Sequence, residues 1–353
     1  MAYSDIKDPS EHFQTVLYTG NGGTLSVTND GNSDLQPDWV WIKNRTAYQH
    51  QVYDTNRGVH KKIMTSVSNA ETTDTTALTA FNTDGFSTGA NVGVNQNNVA
   101  HVAWQWKANG GTTASNSNGS ITSTVQANTT AGFSIVTYTG TGSAATVGHG
   151  LGETPDMIIF KNRSGANVWA TYHQGVGNNV KLDLSGTGAE DADGAFMNGT
   201  LPTSSVFSVG ASANTNTSSS NYVAYCFKDV QGYSKFGVYS ADYATSDGPF
   251  VYTGFKPAFV MIKNLAHATN WIMIDHKRNP TNVANLKLGA NTNAADNGSD
   301  LGNTSQNNID MLSNGFKIRT RNTDTNYNTG DQLIYMAFAE NPFVAGGVPT
   351  TAR

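Results

Sequence analysis

Aromatic and titratable side chains are most concentrated in one short stretch of the chain, Trp271–Arg278. It contains Asp275 and His276, residue types that serve acid–base chemistry when a nucleophile lies within hydrogen-bond reach. The single cysteine, Cys226, lies inside the apolar run Val223–Phe227, where a thiol behaves as a small buried hydrophobic group. Because no nucleophile can be paired with a base, we expect no enzymatic activity.

A carbohydrate-binding face is the alternative use of these side chains. Aromatic rings stack on pyranose rings, while carboxylates and amides bind the sugar hydroxyls. A second aromatic stretch, Trp169–His173, begins at the same distance after a Lys-Asn pair as Trp271 does. The candidate glycan-facing residues are Trp169, Tyr172, His173, Trp271, Asp275, His276 and Arg278. The competing interpretation is that the two tryptophans pack in equivalent core positions, and their matched spacing favours it.

Other conspicuous motifs favour structural roles. Gly148–Gly152 resembles a phosphate loop only superficially, because neither a Lys-Ser/Thr pair nor a helix follows it. Glu190–Gly194 carries three carboxylates, which predicts a solvated acidic turn and leaves calcium binding as the alternative. The Lys-Asn-Arg triplets end predicted strands, where charged residues mark the exit to solvent or form ion pairs between repeats or between chains. Only five glutamates are present, which argues against a polysaccharide-cleaving enzyme with paired carboxylates.

The composition is typical of a β-rich protein with polar loops. Of 353 residues, 37% are hydrophobic and only 13% are charged; Asn, Thr, Ser and Gly, which favour turns over helix interiors, fill the difference. Fifteen Phe, fourteen Tyr and six Trp supply apolar area for several cores. A net charge of −5 with dispersed Lys and Arg argues against nucleic-acid binding. No cofactor and no membrane insertion are expected, since no apolar run is long enough to span a bilayer.

A threefold internal repeat organises the chain. Each copy has a proline, an apolar run and a Lys-Asn pair: Pro37–Asn44, Pro155–Asn162 and Pro257–Asn264. The register follows from three tyrosines that stand 17 to 19 residues before those prolines: Tyr18, Tyr138 and Tyr239. Each copy closes on an aromatic strand: Val102–Lys107, Val223–Lys228 and Ile334–Phe338. Both faces of Trp39–Ile42 are apolar, which predicts a strand buried between two layers.

The predicted fold class is all-β, with three tandem β-sandwich repeats of jelly-roll or concanavalin-like type. The first, second and third repeats are predicted at 13–108, 132–229 and 230–343. Residues 109–131 are rich in Gly, Ser, Thr and Asn, which predicts a linker. Residues 1–12 are predicted to form a polar N-terminal arm, and 344–353 a C-terminal tail. The arm lacks the basic and apolar regions of a signal peptide, so we expect synthesis in a cytoplasm without secretion by the general route.

Several long motifs resemble virion structural proteins of marine tailed phages, which infect cyanobacteria and abundant ocean bacteria. The motifs are Asp8–Thr15, Leu17–Asn21, Pro37–Arg45, Val102–Ala108, Gly248–Pro257 and Tyr335–Phe343. The resemblance implies a particle component, in particular a tail fibre or fibre-like appendage for host attachment. It implies a homo-oligomer, a trimer by analogy with phage fibres, anchored to other virion proteins by the N-terminal arm and contacting a host glycan or receptor. The alternatives are a capsid decoration or tail-shaft component without a receptor role, and a surface-polysaccharide depolymerase.

Overall fold

The computed structural model describes residues 4–244, 247–296, 309–342, 344–345 and 348–349. Strands make up 41% of it and helices 2%, so the all-β prediction is confirmed. The helical elements are a 3₁₀ turn at Pro9–Glu11 and the single-turn helix α1 at Val92–Asn95. No helix in the described part of the chain is long and apolar enough to cross a bilayer.

The strands fall into three groups, which we call units 1, 2 and 3. Unit 1 contains β1 (Phe13–Thr19), β2 (Leu25–Val27), β3 (Trp39–Asn44), β4 (Gln51–Asp54), β5 (Lys61–Lys62), β6 (Thr72–Thr73), β7 (Leu78–Phe81), β8 (Phe86–Thr88) and β9 (Ala100–Trp106). Between units 1 and 2 lie β10 (Ala114–Asn116) and β11 (Ser123–Asn128).

Unit 2 contains β12 (Phe133–Thr139), β13 (Ala145–Gly148), β14 (Met157–Asn162), β15 (Ala170–His173), β16 (Val180–Asp183), β17 (Asp191–Ala192), β18 (Val206–Val209) and β19 (Asn221–Phe227). Unit 3 contains β20 (Ser234–Ser240), β21 (Phe250–Tyr252), β22 (Phe255–Asn264), β23 (Ile272–Asp275), β24 (Leu288–Gly289), β25 (Ile309–Leu312), β26 (Gly315–Ile318) and β27 (Gln332–Pro342). After it come β28 (Val344–Ala345) and β29 (Val348–Pro349).

Each unit builds a main antiparallel sheet with the same strand order. The orders are β1-β9-β3-β4, β12-β19-β14-β15 and β20-β27-β22-β23. A short second sheet, β2-β8-β7, β13-β18 or β21-β26-β25, accompanies each main sheet. In unit 1, Val27 and Phe86 of the short sheet join Val40 and Ile42 of the main sheet in one buried cluster. Each unit is therefore a two-layer sandwich with a core of its own.

The opposite faces of the three main sheets meet in a single shared core. Trp39 and Trp41 alternate along β3 with Val40 and Ile42 and enter this shared core. All six tryptophans of the chain belong to it: Trp39, Trp41, Trp104, Trp106, Trp169 and Trp271. Aromatic pairs cross between units, as where the rings of Trp39 and Tyr225 lie 4.6 Å apart. Because each buried aromatic contributes about 1.5–3 kcal/mol relative to exposure, this core binds the three units into one body.

Three buried lysines join the units in a closed ring. Lys43 of unit 1 donates to the carbonyl of Asn293 in unit 3, at 3.3 Å. The equivalent bonds run from unit 2 to unit 1 and from unit 3 to unit 2: Lys161 to Ser68 O (3.1 Å) and Lys263 to Thr187 O (3.3 Å). Each ammonium also donates to carbonyls of its own loop. The lysines of the Lys-Asn pairs are thus buried between units, and the prediction that they lead to solvent is wrong.

Two segments assigned to connections are part of this body. The stretch 109–131, predicted as a linker, contains β10 and β11, and β11 pairs with β12 along the second main sheet. Its alternating Val125 and Ala127 give that strand an inward face despite the polar composition. In the N-terminal arm, Ile6 is buried in the shared core. Residues 1–3 of the predicted arm and most of the predicted tail 344–353 lie outside the described residues.

Candidate functional site

Unit 1 and unit 2 are joined by a buried chain of charges. Arg57 and Asp54, whose side chains are fully buried, form an ion pair, and Arg57 also binds Glu71 at 3.0 Å. The Glu71 carboxylate in turn accepts a bidentate pair of hydrogen bonds from the Arg163 guanidinium of unit 2, at 2.9 and 3.0 Å. Tyr225 of unit 2 donates its hydroxyl to the Asp54 carboxylate at 2.7 Å. Burial opposes the charge on Arg57, but the facing carboxylates hold its pKa above its ordinary value.

The same arrangement joins unit 3 to unit 1. Asp275 and Arg278 are fully buried and pair at 2.6 Å, and Arg278 binds Asp296 at 2.9 Å. Asp296 binds Arg45 of unit 1, with their side-chain atoms 2.5 Å apart. Trp104 of unit 1 donates its indole N–H to Asp275 at 3.2 Å. Asp275 and Arg278 therefore bind neighbouring protein groups and not an external ligand.

The third interface, between units 2 and 3, has neutral residues at the equivalent positions. His173 stands at the place of Asp54 in the strand register, opposite Met157 as Asp54 is opposite Trp39. Three residues further on, Val176 occupies the position of Arg57. The His173 Nε2 atom lies 3.4 Å from the carbonyl of Tyr335 in unit 3. Burial lowers the pKa of His173 to about 4, so the imidazole is neutral at physiological pH.

Most of the residues predicted to face a glycan are structural. Six of the seven are at most 4% exposed: Trp169, Tyr172, His173, Trp271, Asp275 and Arg278. The two indole N–H groups bind carbonyls of neighbouring units, Trp169 to Met64 O (2.8 Å) and Trp271 to Asp183 O (2.9 Å). A sugar cannot stack on rings that are packed inside the protein, so this candidate site is wrong for these six. The seventh, His276, is half-buried and lines a cavity between units 3 and 1.

The remaining sequence motifs are also occupied by the protein's own groups. Gly148 ends β13, and the Gly148–Gly152 motif continues into a turn. Asp191 and Asp193 of the predicted acidic turn both pair with Lys181, and Asp191 lies in strand β17. No group of three metal-ligating side chains occurs within the described ranges. Cys226 is fully buried in the core of unit 2, where burial raises the pKa of its thiol.

An exposed group of aromatic and cationic side chains lies on the loops of unit 3, and we call it the Tyr243 cluster. Tyr243 and Tyr327, 43% and 37% exposed, have ring centres 6.5 Å apart at 71°. The guanidinium carbon of Arg321 lies 4.3 Å from the centre of the Tyr243 ring, a cation–π contact. His267 meets the Tyr327 ring edge-on at 5.1 Å, and its Nε2 lies 3.1 Å from the Asp331 carboxylate. Two exposed rings and a cation therefore share one accessible surface, with the mostly buried Asp331 carboxylate beside His267.

The internal repeats show that Tyr243 occupies a strained position. In each unit the tyrosine that sets the repeat register donates its hydroxyl to a backbone carbonyl, and the residue after that carbonyl is an asparagine: Asn95, Asn216 and Asn326. Each asparagine side chain accepts a hydrogen bond from a backbone N–H, and the residue after that N–H has a left-handed backbone conformation. That position is Gly22 in unit 1 (φ 70°), Gly142 in unit 2 (φ 78°) and Tyr243 in unit 3 (φ 62°). An L-residue with a side chain there costs about 1–2 kcal/mol, so unit 3 keeps a ring where the fold prefers glycine.

The other members of the cluster are also particular to unit 3. Tyr327 follows the asparagine that the three units share, where the other units have Gln96 and Thr217. Arg321 stands where they have Ala90 and Ala211, five residues before the same asparagine. His267 takes the place of Thr46 in unit 1 and Gly165 in unit 2. The backbone carbonyl of each of these three residues accepts a hydrogen bond from the buried lysine of its unit. The scaffold is shared among the units, whereas the exposed aromatic and cationic groups belong to one of them.

This cluster is absent from the sequence-based candidates because its members are far apart in the chain. The cluster can be found from the sequence by aligning the units on Tyr18, Tyr138 and Tyr239. This alignment places Tyr243 at the position of Gly22 and Gly142. A non-glycine residue in the left-handed region is unusual and clusters at functional sites.

Comparison with known proteins gives a family without an assigned activity. No curated protein and no solved structure matches the chain. One family matches residues 8–342, a span that covers all three units. The chain belongs to that family, described as Domain of unknown function (DUF7483).

Proposed function

We propose that the chain is a structural component of a tailed-phage particle, in a fibre-like appendage, and that it attaches to carbohydrate on the host surface through the Tyr243 cluster. The cluster supplies ring faces for stacking on a sugar and charged groups for its hydroxyls. The observation that carries the proposal is Tyr243 itself, an exposed ring held at a left-handed position where the other two units have glycine.

The rest of the body supports a mechanical role. Three sandwiches share one aromatic core, and ion pairs, lysine–carbonyl bonds and indole–carbonyl bonds join the units. Such a body transmits force without exposing flexible junctions between domains. Units packed around one core do not extend one after another, so the three repeats do not lengthen the appendage. The N-terminal segment, which we propose anchors the chain to the particle, packs against this body from Ser4 onward, with Ile6 buried in the shared core.

The attachment part is tested by binding of the purified chain to immobilised bacterial surface polysaccharides. Tyr243→Gly removes the ring and gives the backbone the residue found in the other units, so the fold is retained. We expect wild-type binding and at least a tenfold loss for Tyr243→Gly, which corresponds to about 1.4 kcal/mol. Tyr48→Ala, which removes an exposed tyrosine of unit 1, is the matched control and should bind as wild type. Equal binding by the Tyr243 variant would rule out the cluster as the attachment site.

The particle part is tested separately by immunogold labelling of purified phage particles with an antibody against the chain. Label at tail appendages is expected. Label distributed over the capsid lattice would refute the fibre assignment in favour of a decoration protein. Release of reducing ends from the polysaccharide during the binding experiment would instead show a depolymerase.

A further inference from the structure

The outer edges of the first strands of the three main sheets are used differently. In unit 2 the outer edge of β12 pairs with β11, from Thr124 opposite Thr137 to Asn128 opposite Phe133. The equivalent strands are β1 in unit 1 and β20 in unit 3. Within the described residues, each of these pairs with a strand on one side only, β9 or β27. Unit 2 therefore shows how an additional strand pairs with the outer edge of the first strand of a unit.

The added strand β11 lies at the seam between units 1 and 2 and is bound from both sides. Thr55 of unit 1 lies 2.7 Å from the side-chain carbonyl of Gln126, to which it donates. Asn56 donates to the Thr124 carbonyl at 3.0 Å. These two residues follow Asp54 directly, so their equivalents in unit 3 are His276 and Lys277, which follow Asp275.

At the seam between units 3 and 1, the place of β11 is a cavity of about 160 Å³. It is bordered by Phe13 and Thr15 of β1, and by His276 and Lys277 of unit 3. The ammonium of Lys277 lies 2.8 Å from the carboxylate of Asp30 at the exposed rim. One water needs only about 10–15 Å³ of such volume, so the cavity has room for side chains of an incoming segment.

The backbone of β1 is oriented to pair at this edge. The carbonyl of Ile135 in β12 accepts from Asn56 across the seam, and that of Phe236 in β20 accepts from Gln174. Both residues are equivalent to Thr15 by their pairing with the closing strand of the unit. In a strand the N–H and C=O of one residue point to the same side, so those of Thr15 face outward.

The edge of β20 differs because a loop of unit 2 already covers it. Gln174 binds the Phe236 carbonyl at 2.7 Å. Gly175 approaches Val238 so closely that a Cβ has no room there. The edge of β1, with the cavity beside it, is therefore the one that resembles β12 without its added strand.

We propose that β1 binds an extended peptide segment of a partner protein, which pairs antiparallel with Phe13–Leu17 as β11 pairs with β12. The segment has the chemistry of Ser123–Asn128: small hydroxyl and apolar residues around a central amide side chain that enters the cavity. Strand addition takes its affinity from main-chain hydrogen bonds and its specificity from side-chain pockets. The cavity, with His276 and Lys277 at the positions of Thr55 and Asn56, is that pocket.

The test measures binding of a labelled peptide with the sequence of residues 121–130 to the full chain by fluorescence anisotropy. Thr15→Pro removes the outward N–H while leaving the pairing of β1 with β9, because proline is tolerated where the N–H faces away from the sheet. We expect binding to the wild type and at least tenfold weaker binding to Thr15→Pro. Val238→Pro changes another outward-facing residue, on the edge of β20, so it is the control and should bind normally.

Asn32→Trp provides a second variant that leaves the β1 backbone unchanged. Asn32 is exposed and lines the cavity, so a tryptophan there blocks the segment while the fold is retained. Asn32→Trp should also bind the peptide at least tenfold more weakly than the wild type. If Thr15→Pro does not fold, Asn32→Trp alone tests the proposal. Unchanged affinity in Asn32→Trp, or no binding of the peptide to the wild type at millimolar concentration, overturns the proposal. A wild-type dimer in solution that Asn32→Trp dissociates would overturn it too, since the occupant would then be a second copy.

Discussion

Replacing Asp54 by asparagine should destabilise the whole body, because it removes one partner of a buried ion pair. Both the Asp54 and the Arg57 side chains are fully buried. The carboxylate accepts from the guanidinium and backbone N–H of Arg57 and from the hydroxyl of Tyr225. Breaking such a pair from one side costs about 3–5 kcal/mol, because the remaining charge stays buried without its counterion. Glu71 still faces the guanidinium at 3.0 Å, so we expect a value near 3 kcal/mol.

The chain itself supplies the compensated variant. Unit 2 has His173 and Val176 at the positions of Asp54 and Arg57, within the same sheet architecture. The double variant Asp54→His/Arg57→Val removes both charges, and replacing a buried pair by neutral groups is often close to neutral. We therefore expect the double variant to be more stable than Asp54→Asn, with a total cost of about 1–2 kcal/mol.

Urea denaturation followed by tryptophan fluorescence measures both variants, because all six indoles report on the shared core. Asp275→Asn serves as the matched comparison, since Asp275 makes the same contacts with Arg278 and Trp104 at the other interface. Its cost should equal that of Asp54→Asn within about 1 kcal/mol. A cost below about 1 kcal/mol for Asp54→Asn, or a double variant less stable than the single one, would refute the view that a buried counterion holds this interface.

Other outcomes follow from the ring and its lysines. The full chain should unfold in one urea transition, and residues 132–229 expressed alone should lack fixed tertiary structure by NMR, because they would expose their share of the core. Lys161→Met should lower the unfolding free energy by at least about 2 kcal/mol in urea titrations, since four carbonyls lose their donor. Tyr243→Gly should leave stability within about 1 kcal/mol of wild type in the same titration, because relief of backbone strain offsets the entropy of glycine. Burial lowers the pKa of Lys43 to about 7 and those of Lys161 and Lys263 to about 8. Unfolded lysines keep their protons to about pH 10.4, so between pH 7 and 10 the unfolded state binds more protons than the folded state. The Tm should therefore rise with pH in this range. A Tm that falls from pH 7 to 9 would contradict this.

The sequence predicts the strand content well and the partners of the strands poorly. The alternation in Trp39–Ile42 correctly indicates a strand buried on both faces. It cannot indicate that one face belongs to the sandwich of unit 1 and the other to a core shared with units 2 and 3, because both environments select the same apolar residues. The stretch 109–131 was assigned to a linker for a related reason. A short strand at the edge of a sheet needs little hydrophobicity when only one of its faces is covered.

Side chains that bind backbone carbonyls are equally hidden from the sequence. Lys161 is a charged residue next to a predicted loop, and nothing in its neighbours shows that the carbonyls of another unit surround it. Trp169 and Trp271 suggested a glycan site because exposed and buried tryptophans look alike in a sequence. The Tyr243 cluster needs both the repeat register and a backbone angle, and the angle is a property of the folded chain alone.

The closed ring of units has a consequence for how the protein can change. In a homotrimer of one-unit chains, every substitution is present three times, so a mutation that improves one contact must be tolerated at two others. Here the three units are encoded separately. Charges are kept at two interfaces and replaced at the third, an extra strand covers one sheet edge, and an aromatic surface is carried by one unit. Joining the units in one chain lets a symmetric scaffold carry features that a symmetric assembly of identical chains would have to repeat.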